Sequence, residues 1–342
     1  MHGNDLSALP DRLFTLENRR QTRAVIARYG ALLTSFSVRM PDGTRKDLVL
    51  GFDTLSEYRS PSYLANYPYF GAAIGRYGNR IKDGRFVLDG RTVQVTRNRG
   101  EDHLHGGSTG FDRKEWDLVD WEPESSRLVL GCRSADGEEG FPGNLETTLS
   151  FELTQQDELV YTYRARTDAP TAVNLTHHSY FNLDGGRGDI KDHWLQIPAG
   201  HMLEQDNNLV VTGRLCDVTG TRYDFRTPHQ IGERLEDGYD QSFVLDKEPG
   251  ACTLAAVARC PRSGLTLEVH TTDPVVHLYT GQGISPMKGH GGMPYGPYSG
   301  FCLETQVHPN AVNVPDFPST ILRPGQEYYQ QTRYRVYWAP PK

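Results

Sequence analysis

One carboxylate stands out because it lies in an otherwise apolar segment. Residues 299–307 read SGFCLETQV, and in a strand Glu304 would lie on the face opposite Phe301 and Leu303. A buried carboxylate is costly unless it is paired. Such a group is a candidate general base, because its surroundings can shift its pKa toward the working range. The same pattern also fits a glutamate that reaches solvent from an edge strand.

Two consecutive histidines lie in the segment 173–183, which reads VNLTHHSYFNL. Strand alternation places His177 among apolar side chains and His178 among polar ones such as Asn174 and Thr176. The polar face has the composition that a sugar-binding wall needs, although a half-exposed strand facing water would show the same pattern. The alternation therefore predicts that His177 packs in the core and that His178 lies on the opposite, polar face.

Another pair of imidazoles lies at His103 and His105, in the sequence HLHGG. Because they are two residues apart, they are predicted to share one face of a strand, as in half of a metal site. A cupin-like metal site would also have a glutamate a few residues later, but the next one is Glu115. We therefore expect no metal. The two glycines that follow instead indicate a tight turn or a close approach of the backbone to a ligand, and a purely structural role for these histidines is the alternative.

Three shorter segments add candidate ligand-binding groups. Asn79 and Arg80 lie near the end of IGRYGNRI and offer several donors to an oxygen-rich ligand, although a surface salt bridge is the alternative for Arg80. Asp240 follows Gly-Tyr, and His277 shares a strand face with Tyr279. These last two segments are weak signals by themselves, because turns and cores often contain the same residues.

The elements that must position these groups are mostly strands. Strands recur without βαβ alternation, which indicates an antiparallel sandwich or barrel. Asp89-Gly90, between two short apolar runs, predicts a hairpin with a type I′ turn. Short helices are predicted at 54–59 and 229–235. We predict one all-β domain over residues 1–342, a large antiparallel β-sandwich. Apolar residues alternate most clearly in 35–40, 149–153, 159–163, 265–269 and 334–338.

The composition argues against several classes of protein. The 342 residues carry 36 Lys and Arg against 43 Asp and Glu, a formal net charge of −7, which argues against binding to nucleic acid or to an anionic membrane. No segment approaches the roughly 18 apolar residues of a transmembrane helix, and the start MHGNDLSALP lacks the features of a signal peptide. The five cysteines are odd in number and form no CxxC motif, which favours reduced thiols in a cytoplasmic protein.

Taken together, these segments resemble those of the aldose 1-epimerase family, also called galactose mutarotases. The resemblance runs from about Phe36 to the final strand. It implies a large antiparallel β-sandwich with a sugar cleft on one concave sheet, a monosaccharide substrate, and neither a metal nor a cofactor. The matching stretches, in chain order, are PYFGAAIGRYGNRI, LHGGSTGFDRKEW, DGEEGFPGNL, NLTHHSYFNL, GYDQSF, LYTG and SGFCLETQVHPNAVN.

The resemblance also implies roles for single residues in the interconversion of α and β anomers. Glu304, in LETQ, looks like the general base, and His178, before Ser-Tyr-Phe-Asn, looks like the general acid. Inverting C1 of a cyclic aldose requires the anomeric hydroxyl to lose a proton while the ring oxygen gains one. His277 stands where many members carry Gln, and His177 stands where Asn is common. The residues expected to hold the sugar are Asn79, Arg80, His105, Asp240 and His277.

Other functions fit parts of the pattern. A non-catalytic carbohydrate-binding sandwich would share the sugar wall but would have little need of both Glu304 and His178. A hexose-6-phosphate 1-epimerase would need further cations near the cleft, and the matching stretches supply mainly Arg80, with Arg76 and Lys114 as weaker candidates. A cupin-like metal enzyme is the most distant alternative. A monomer and a homodimer both fit the sequence.

Overall fold

The computed structural model describes residues 12–338, in which strands provide most of the regular structure. No helix within this range is both long enough and apolar enough to span a bilayer. The two α-helices are Leu55–Tyr58 and Pro61–Ala65, and the 3₁₀ helices are Lys82–Gly84, Phe111–Arg113, Glu138–Gly140, Ile231–Arg234, His290–Gly292 and Ala311–Asn313.

Three antiparallel sheets contain most of the strands. The large sheet has nine strands, in the spatial order Asp117–Glu122, Arg127–Ser134, Leu145–Leu153, Glu158–Thr167, Tyr328–Trp338, Leu265–Thr271, Thr253–Arg259, Trp194–Gln196 and His229–Gln230. The six-stranded sheet has the order Tyr180–Phe181, Phe301–Gln306, Val275–Tyr279, Asp240–Val244, His201–Gln205 and Val211–Asp217. The amino-terminal sheet has the order Leu13–Glu17, Arg23–Ala27, Leu33–Arg39 and Arg45–Asp47.

Five short antiparallel ladders complete the strand pairing in residues 12–338. They are Ala72–Ile74 with Thr176–His178, Arg80–Ile81 with His103–Leu104, Arg85–Leu88 with Arg91–Gln94, Thr171–Ala172 with Ile321–Leu322, and Met287–Lys288 with Pro294–Tyr295.

The large sheet, the six-stranded sheet and the amino-terminal sheet share one hydrophobic core. Phe151 of the large sheet, Phe36 of the amino-terminal sheet, and Phe301 and Leu303 of the six-stranded sheet belong to the same buried cluster. Because side chains alternate along a strand, Glu304 points to the face away from this cluster. The packing confirms the predicted antiparallel sandwich, and it leaves the outer face of the six-stranded sheet for a site. One domain over the whole chain stays a prediction, since residues 1–11 and 339–342 lie outside the described range.

The strongest alternating segments form strands as predicted. Leu145–Leu153 pairs along its whole length with residues 159–167 of Glu158–Thr167, and the alternating apolar residues of both strands are buried. The predicted hairpin joins the two strands of 85–94, and its turn residues Asp89 and Gly90 have φ values of 48° and 77°. Positive φ at both positions is the requirement of a type I′ turn.

Two local predictions need correction. Residues 229–235 form a two-residue strand followed by the 3₁₀ turn Ile231–Arg234, which buries Ile231 and Leu235 without an α-helix. Trp338, expected on the core face, is 48% exposed. It pairs with Leu265, the first residue of the neighbouring strand, so it lies where the sheet ends and little covers it. The predicted helix at 54–59 is confirmed as Leu55–Tyr58.

Candidate active site

Glu304 lies in the interior of the six-stranded sheet. Its strand pairs with Tyr180–Phe181 on one side and with Val275–Tyr279 on the other, and all of Phe301–Gln306 is buried. Glu304 is 1% exposed, and its Oε2 atom has no hydrogen-bond partner among residues 12–338. The edge-strand alternative is therefore wrong, and one carboxylate oxygen is free to accept a proton.

The segment that carries the two consecutive histidines is buried on both faces. Thr176–His178 pairs with Ala72–Ile74, whereas Tyr180–Phe181 pairs with the strand of Glu304. Every residue from 173 to 183 is buried. The single strand drawn from the alternation is thus two short strands with different partners. The half-exposed alternative is wrong because the side chains on both faces of the segment are buried.

Only part of the predicted polar wall faces the cavity. Asn174 and Asn182 donate side-chain hydrogen bonds to backbone carbonyls, so their amides brace the fold. His178 and Tyr180 line the cavity that Glu304 also lines. His177 packs on the other side of the segment, with its ring centroid 5.4 Å from that of the core residue Tyr161.

His178 lies beside Glu304. Its Nε2 atom is 3.6 Å from Glu304 Oε1, and its Nδ1 atom is 3.4 Å from the thiol sulfur of Cys302. Its ring stacks on that of Tyr69, with the centroids 5.6 Å apart. Burial lowers the pKa of His178, while the carboxylate of Glu304 favours the protonated form. The proton affinity of His178 therefore depends on the charge of Glu304.

His105 enters the same cavity through a left-handed backbone conformation, with φ of 51°. The chain leaves the strand His103–Leu104 at this residue, so the strand alternation stops and the two imidazoles do not share a face. His103 packs on Phe141, and its Nδ1 lies 2.8 Å from the carbonyl oxygen of Thr96. The prediction of a shared face for the two histidines is therefore wrong.

Asn79 fixes the orientation of the His105 ring. The backbone N–H of Asn79 donates to His105 Nδ1 at 3.2 Å, so the ring proton of the neutral imidazole resides on Nε2. Burial, together with the neighbouring charges of His178 and Arg80, keeps the pKa of His105 well below its ordinary value. His105 therefore presents a neutral Nε2–H donor to a ligand.

Arg80 is buried, 8% exposed, and lines the cavity. Among residues 12–338 its guanidinium has no hydrogen-bond or ion-pair partner, whereas its backbone N–H donates to Asn79 Oδ1. Burial lowers the pKa of Arg80, although the charge of Asp240 opposes this. The alternative of a surface salt bridge is wrong, and the unpaired donors are directed to an oxygen-rich ligand.

Asp240 and His277 form an ion pair at the cavity wall. His277 Nε2 lies 2.9 Å from Asp240 Oδ1, and His277 Nδ1 lies 2.8 Å from Ser242 Oγ. Burial by itself would lower the pKa of His277, but the hydrogen bond and charge of Asp240 raise it above its ordinary value. Burial would likewise raise the pKa of Asp240, but the hydrogen bond and charge of His277 lower it.

One cavity of about 560 Å³ brings the predicted residues together, a size typical of small-molecule sites. Its wall also contains Tyr69, Arg99 and Arg113, which the sequence analysis did not single out. Tyr69 lies in the matching stretch PYFGAAIGRYGNRI and Arg113 in LHGGSTGFDRKEW, which was the available signal, whereas no pattern marked Arg99. The predicted residues in the wall are Asn79, Arg80, His105, His178, Asp240, His277 and Glu304.

Three of these side chains could also hold a metal ion. His105, His178 and Glu304 offer ligand atoms that lie within 4.8 Å of one another. Two imidazoles and a carboxylate form a donor set that Zn²⁺ accepts. The expectation that no metal takes part stays a prediction, which removal of metal ions tests.

Comparisons with known proteins agree with this geometry. The family model described as aldose 1-epimerase matches residues 12–335. The chain is 42% identical over 320 residues to galactose mutarotase from Sus scrofa, covering 91% of this chain and 90% of that protein. It is 36% identical over 337 residues to aldose 1-epimerase from Escherichia coli (strain K12), covering 95% of each.

Solved structures show the same fold. An aldose epimerase homologue from C. elegans superimposes with a TM-score of 0.89 at 29% identity, covering 96% of this chain and 100% of that chain. Galactose 1-epimerase from Lactobacillus acidophilus NCFM superimposes with a TM-score of 0.82 at 26% identity, covering 96% of this chain and 95% of that chain.

Proposed function

The chain belongs to the aldose 1-epimerase family, and we propose that this enzyme interconverts the α and β anomers of aldoses with Glu304 as general base and His178 as general acid. The observation that best supports these roles is the 3.6 Å separation of Glu304 Oε1 and His178 Nε2 in the cavity wall. The anomeric hydroxyl and the ring oxygen of a cyclic aldose are bonded to the same carbon. An adjacent base and acid can therefore reach both oxygens of one bound sugar.

Ring opening moves two protons and breaks one bond. Glu304 takes the proton of the anomeric hydroxyl, His178 gives its proton to the ring oxygen, and the bond between C1 and the ring oxygen breaks to leave an aldehyde. A half-turn about C1–C2 presents the other face of the carbonyl group. On reclosure the hydroxyl formed from the ring oxygen returns its proton to His178, and the carbonyl oxygen takes the proton held by Glu304. Each transfer typically contributes about 10²–10⁴-fold.

Four other groups in the wall are proposed to hold the sugar. Arg80 and the Nε2–H of His105 are donors without a partner among residues 12–338, and they suit hydroxyl and ring oxygens. Asp240 can accept from a hydroxyl, and Asn79 supplies both a polar side chain and the orientation of His105. Fixing the ring in this way keeps C1 beside the base and the acid, which is where positioning raises the rate.

A phosphosugar substrate receives less support than a neutral aldose. Arg76 and Lys114, the additional cations that this alternative would use, do not line the cavity. The guanidinium of Arg76 donates to Ser134 and to nearby carbonyls, and Lys114 pairs with Glu138. Two other arginines, Arg99 and Arg113, do line the cavity. Arg113 pairs with Asp112 at 3.7 Å, so Arg99 is the cation whose effect a test with 6-phosphates should measure.

Polarimetry tests the function directly. Fresh α-anomers of glucose, galactose, xylose and arabinose, and of glucose 6-phosphate, are followed with and without the enzyme. We expect the approach to the anomeric equilibrium to be accelerated for the neutral sugars. If every sugar equilibrates only at the rate seen in buffer, the proposal is overturned. A non-catalytic carbohydrate-binding protein would then be the remaining alternative.

The setting of the reaction is also proposed. We propose that the enzyme uses no metal or organic cofactor, because the reaction moves only protons, and that it is a monomer or a homodimer. All five cysteines are unpaired, which supports a reducing, cytoplasmic location. Gel filtration with light scattering measures the oligomeric state, and a mass well above that of a dimer would contradict this part of the proposal.

A further inference from the structure

Three neighbouring strands place a serine, a histidine and the proposed base in one row across the sheet. Ser242 lies opposite His277, and His277 lies opposite Glu304. Asp240 is two residues before Ser242 and therefore shares its face. His277 is thus flanked by Glu304 on one side and by Asp240 and Ser242 on the other.

Both ring nitrogens of His277 are already in use. Nδ1 contacts Ser242 Oγ at 2.8 Å and Nε2 contacts Asp240 Oδ1 at 2.9 Å, while His277 is 3% exposed and Ser242 is 0% exposed. No ring nitrogen remains for a sugar hydroxyl. The side chain of Asp240 is 24% exposed and lines the cavity, so it is the member of this set that a sugar can reach.

We propose that His277, oriented by Ser242, is a positioning residue that clamps Asp240 so that its other carboxylate oxygen accepts a hydrogen bond from a sugar hydroxyl. This inference rests on the proposed function, because it deepens the role of Asp240 in sugar binding. It also replaces the predicted direct contact between His277 and the sugar.

We call the hydrogen bond from His277 Nε2 to Asp240 Oδ1 the clamp. It keeps its geometry in both protonation states of His277, but its strength changes. As an imidazolium, His277 donates from Nε2 to Asp240 and from Nδ1 to Ser242. As a neutral imidazole it still donates to Asp240, while the Ser242 hydroxyl turns to donate to Nδ1. A charged donor forms a roughly twofold stronger hydrogen bond than a neutral one. Sugar affinity should therefore be higher while His277 is protonated.

The neighbours of His277 determine the pH window. The charged and titratable groups that face it are Asp240, Glu304, Arg80, His178 and His105. Asp240 and Glu304 hold the proton on His277 above its ordinary pKa of 6.5. His178 and His105 have lowered pKa values, so they lose their protons at lower pH than His277 does. Burial raises the pKa of Asp112, which also lines the cavity, to about 7. Only the part of the pH dependence that His277→Gln removes is therefore assigned to His277.

The experiment measures sugar binding without turnover. The ligand is the 1-deoxy analogue of the preferred aldose, which lacks the anomeric hydroxyl, and its Kd is determined by calorimetry from pH 5.5 to 9. For the wild type we expect the affinity to fall about three- to tenfold as pH rises through the pKa of His277. In His277→Gln the amide still donates to Asp240 but does not titrate, so most of this fall in affinity should disappear.

Two further variants make the result specific. Ser242→Ala should weaken binding at every pH, because the ring of His277 loses its second partner. Ser179→Ala removes a hydrogen bond of the same kind, between Ser179 and the core residue His177 at 3.0 Å, and should leave the affinity unchanged. Melting curves identify any variant that fails to fold. In His277→Ala the KM should change more than the kcat does, and His277→Gln should restore most of the lost affinity.

The outcomes separate this inference from the proposed function. The clamp is overturned if the wild-type affinity is flat across the range or if His277→Gln keeps the wild-type pH dependence. If Asp240→Asn binds the analogue as the wild type does, the role of Asp240 in sugar binding fails, and the clamp fails with it. If only the clamp is wrong, Asp240→Asn still weakens binding.

Discussion

Two consecutive histidines, His177 and His178, occupy the two sides of one buried segment and differ in almost everything except burial. His177 is 1% exposed and His178 is 4% exposed. Around His177 both ring nitrogens contact protein groups, Ser179 Oγ at 3.0 Å and the carbonyl oxygen of Ala31 at 3.4 Å. The Nε2 of His178 instead faces Glu304 and a cavity.

This difference shows that burial by itself does not distinguish a catalytic histidine from a structural one. Burial lowers the pKa of both rings. The two histidines differ because His178, unlike His177, has a ring nitrogen that lies beside a carboxylate and faces a cavity with room for a ligand. Both ring nitrogens of His177 already contact protein groups, and its ring packs on Tyr161 and Phe151 in the core. We therefore expect His177 to have a structural role.

The largest effect should come from removing the base on the cavity side. Glu304→Gln keeps the size of the side chain but cannot accept the proton, so kcat should fall by about 10²–10⁴-fold while the sugar still binds. The melting temperature should change little or rise, because a buried charge is removed. Polarimetry, calorimetry and a melting curve measure these quantities. A folded variant that binds sugar and turns over within tenfold of the wild type would remove Glu304 from the mechanism.

Removing the acid should have the next largest effect. His178→Asn deletes the proton donor, and kcat should fall by at least about 10²-fold. Polarimetric rates at a fixed sugar concentration well above KM report this directly. The assignment fails if the folded variant keeps most of its kcat.

The same substitution one residue earlier sharpens the comparison. His177→Asn alters the core side only, and its kcat should stay within about tenfold of the wild type, because no proton of the reaction passes through His177. The resemblance to the family, in which Asn is common here, leads to the same expectation. A larger loss of kcat for His177→Asn than for His178→Asn would show that the two faces had been assigned the wrong way round.

Core histidines should instead govern stability in acid. Burial lowers the pKa of His103, His177 and His193 to about 4. Between about pH 6.5 and 4 the unfolded chain therefore binds protons that the folded chain does not, so the free energy of unfolding falls as the pH falls. Each such histidine contributes about 1.4 kcal/mol per pH unit within this window. Denaturant unfolding should show a shallower pH dependence for His177→Asn, and an unchanged slope would contradict the neutral core state of His177.

The smallest effect is expected from chelation. If Glu304 and His178 act only on protons, dialysis against EDTA should leave the polarimetric rate unchanged, although His105, His178 and Glu304 form a possible metal site. A rate that falls on chelation and returns with Zn²⁺ would show that a metal takes part.

Sequence patterns predicted the elements of the fold whose formation depends on residues close together in the chain. Alternation in 149–153 and 159–163 predicted the central parts of the strands Leu145–Leu153 and Glu158–Thr167, and Asp89-Gly90 predicted the hairpin turn, since each depends only on neighbouring residues. Alternation also predicted that His177 and His178 lie on opposite faces of their segment, as the structure shows. The single strand drawn through 173–183 was wrong because the change of pairing partner depends on distant strands.

The site itself was accessible mainly through the resemblance to a family. Spacing misjudged His103 and His105, because the left-handed backbone at His105 cannot be read from the alternation. The contacts of His277 with Ser242 and Asp240 depend on the register between two strands that are more than thirty residues apart in sequence. No local pattern contains that register.

Exchange NMR of the two anomers at equilibrium tests the central claim most directly. The rate of magnetisation transfer between the α and β C1–H signals of one aldose is measured with the wild type, His177→Asn, His178→Asn and Glu304→Gln at equal concentrations of folded protein. We expect enzyme-dependent exchange with the wild type and His177→Asn, and exchange reduced at least about a hundredfold with the other two. Fast exchange with His178→Asn or Glu304→Gln would contradict the assignment of acid and base.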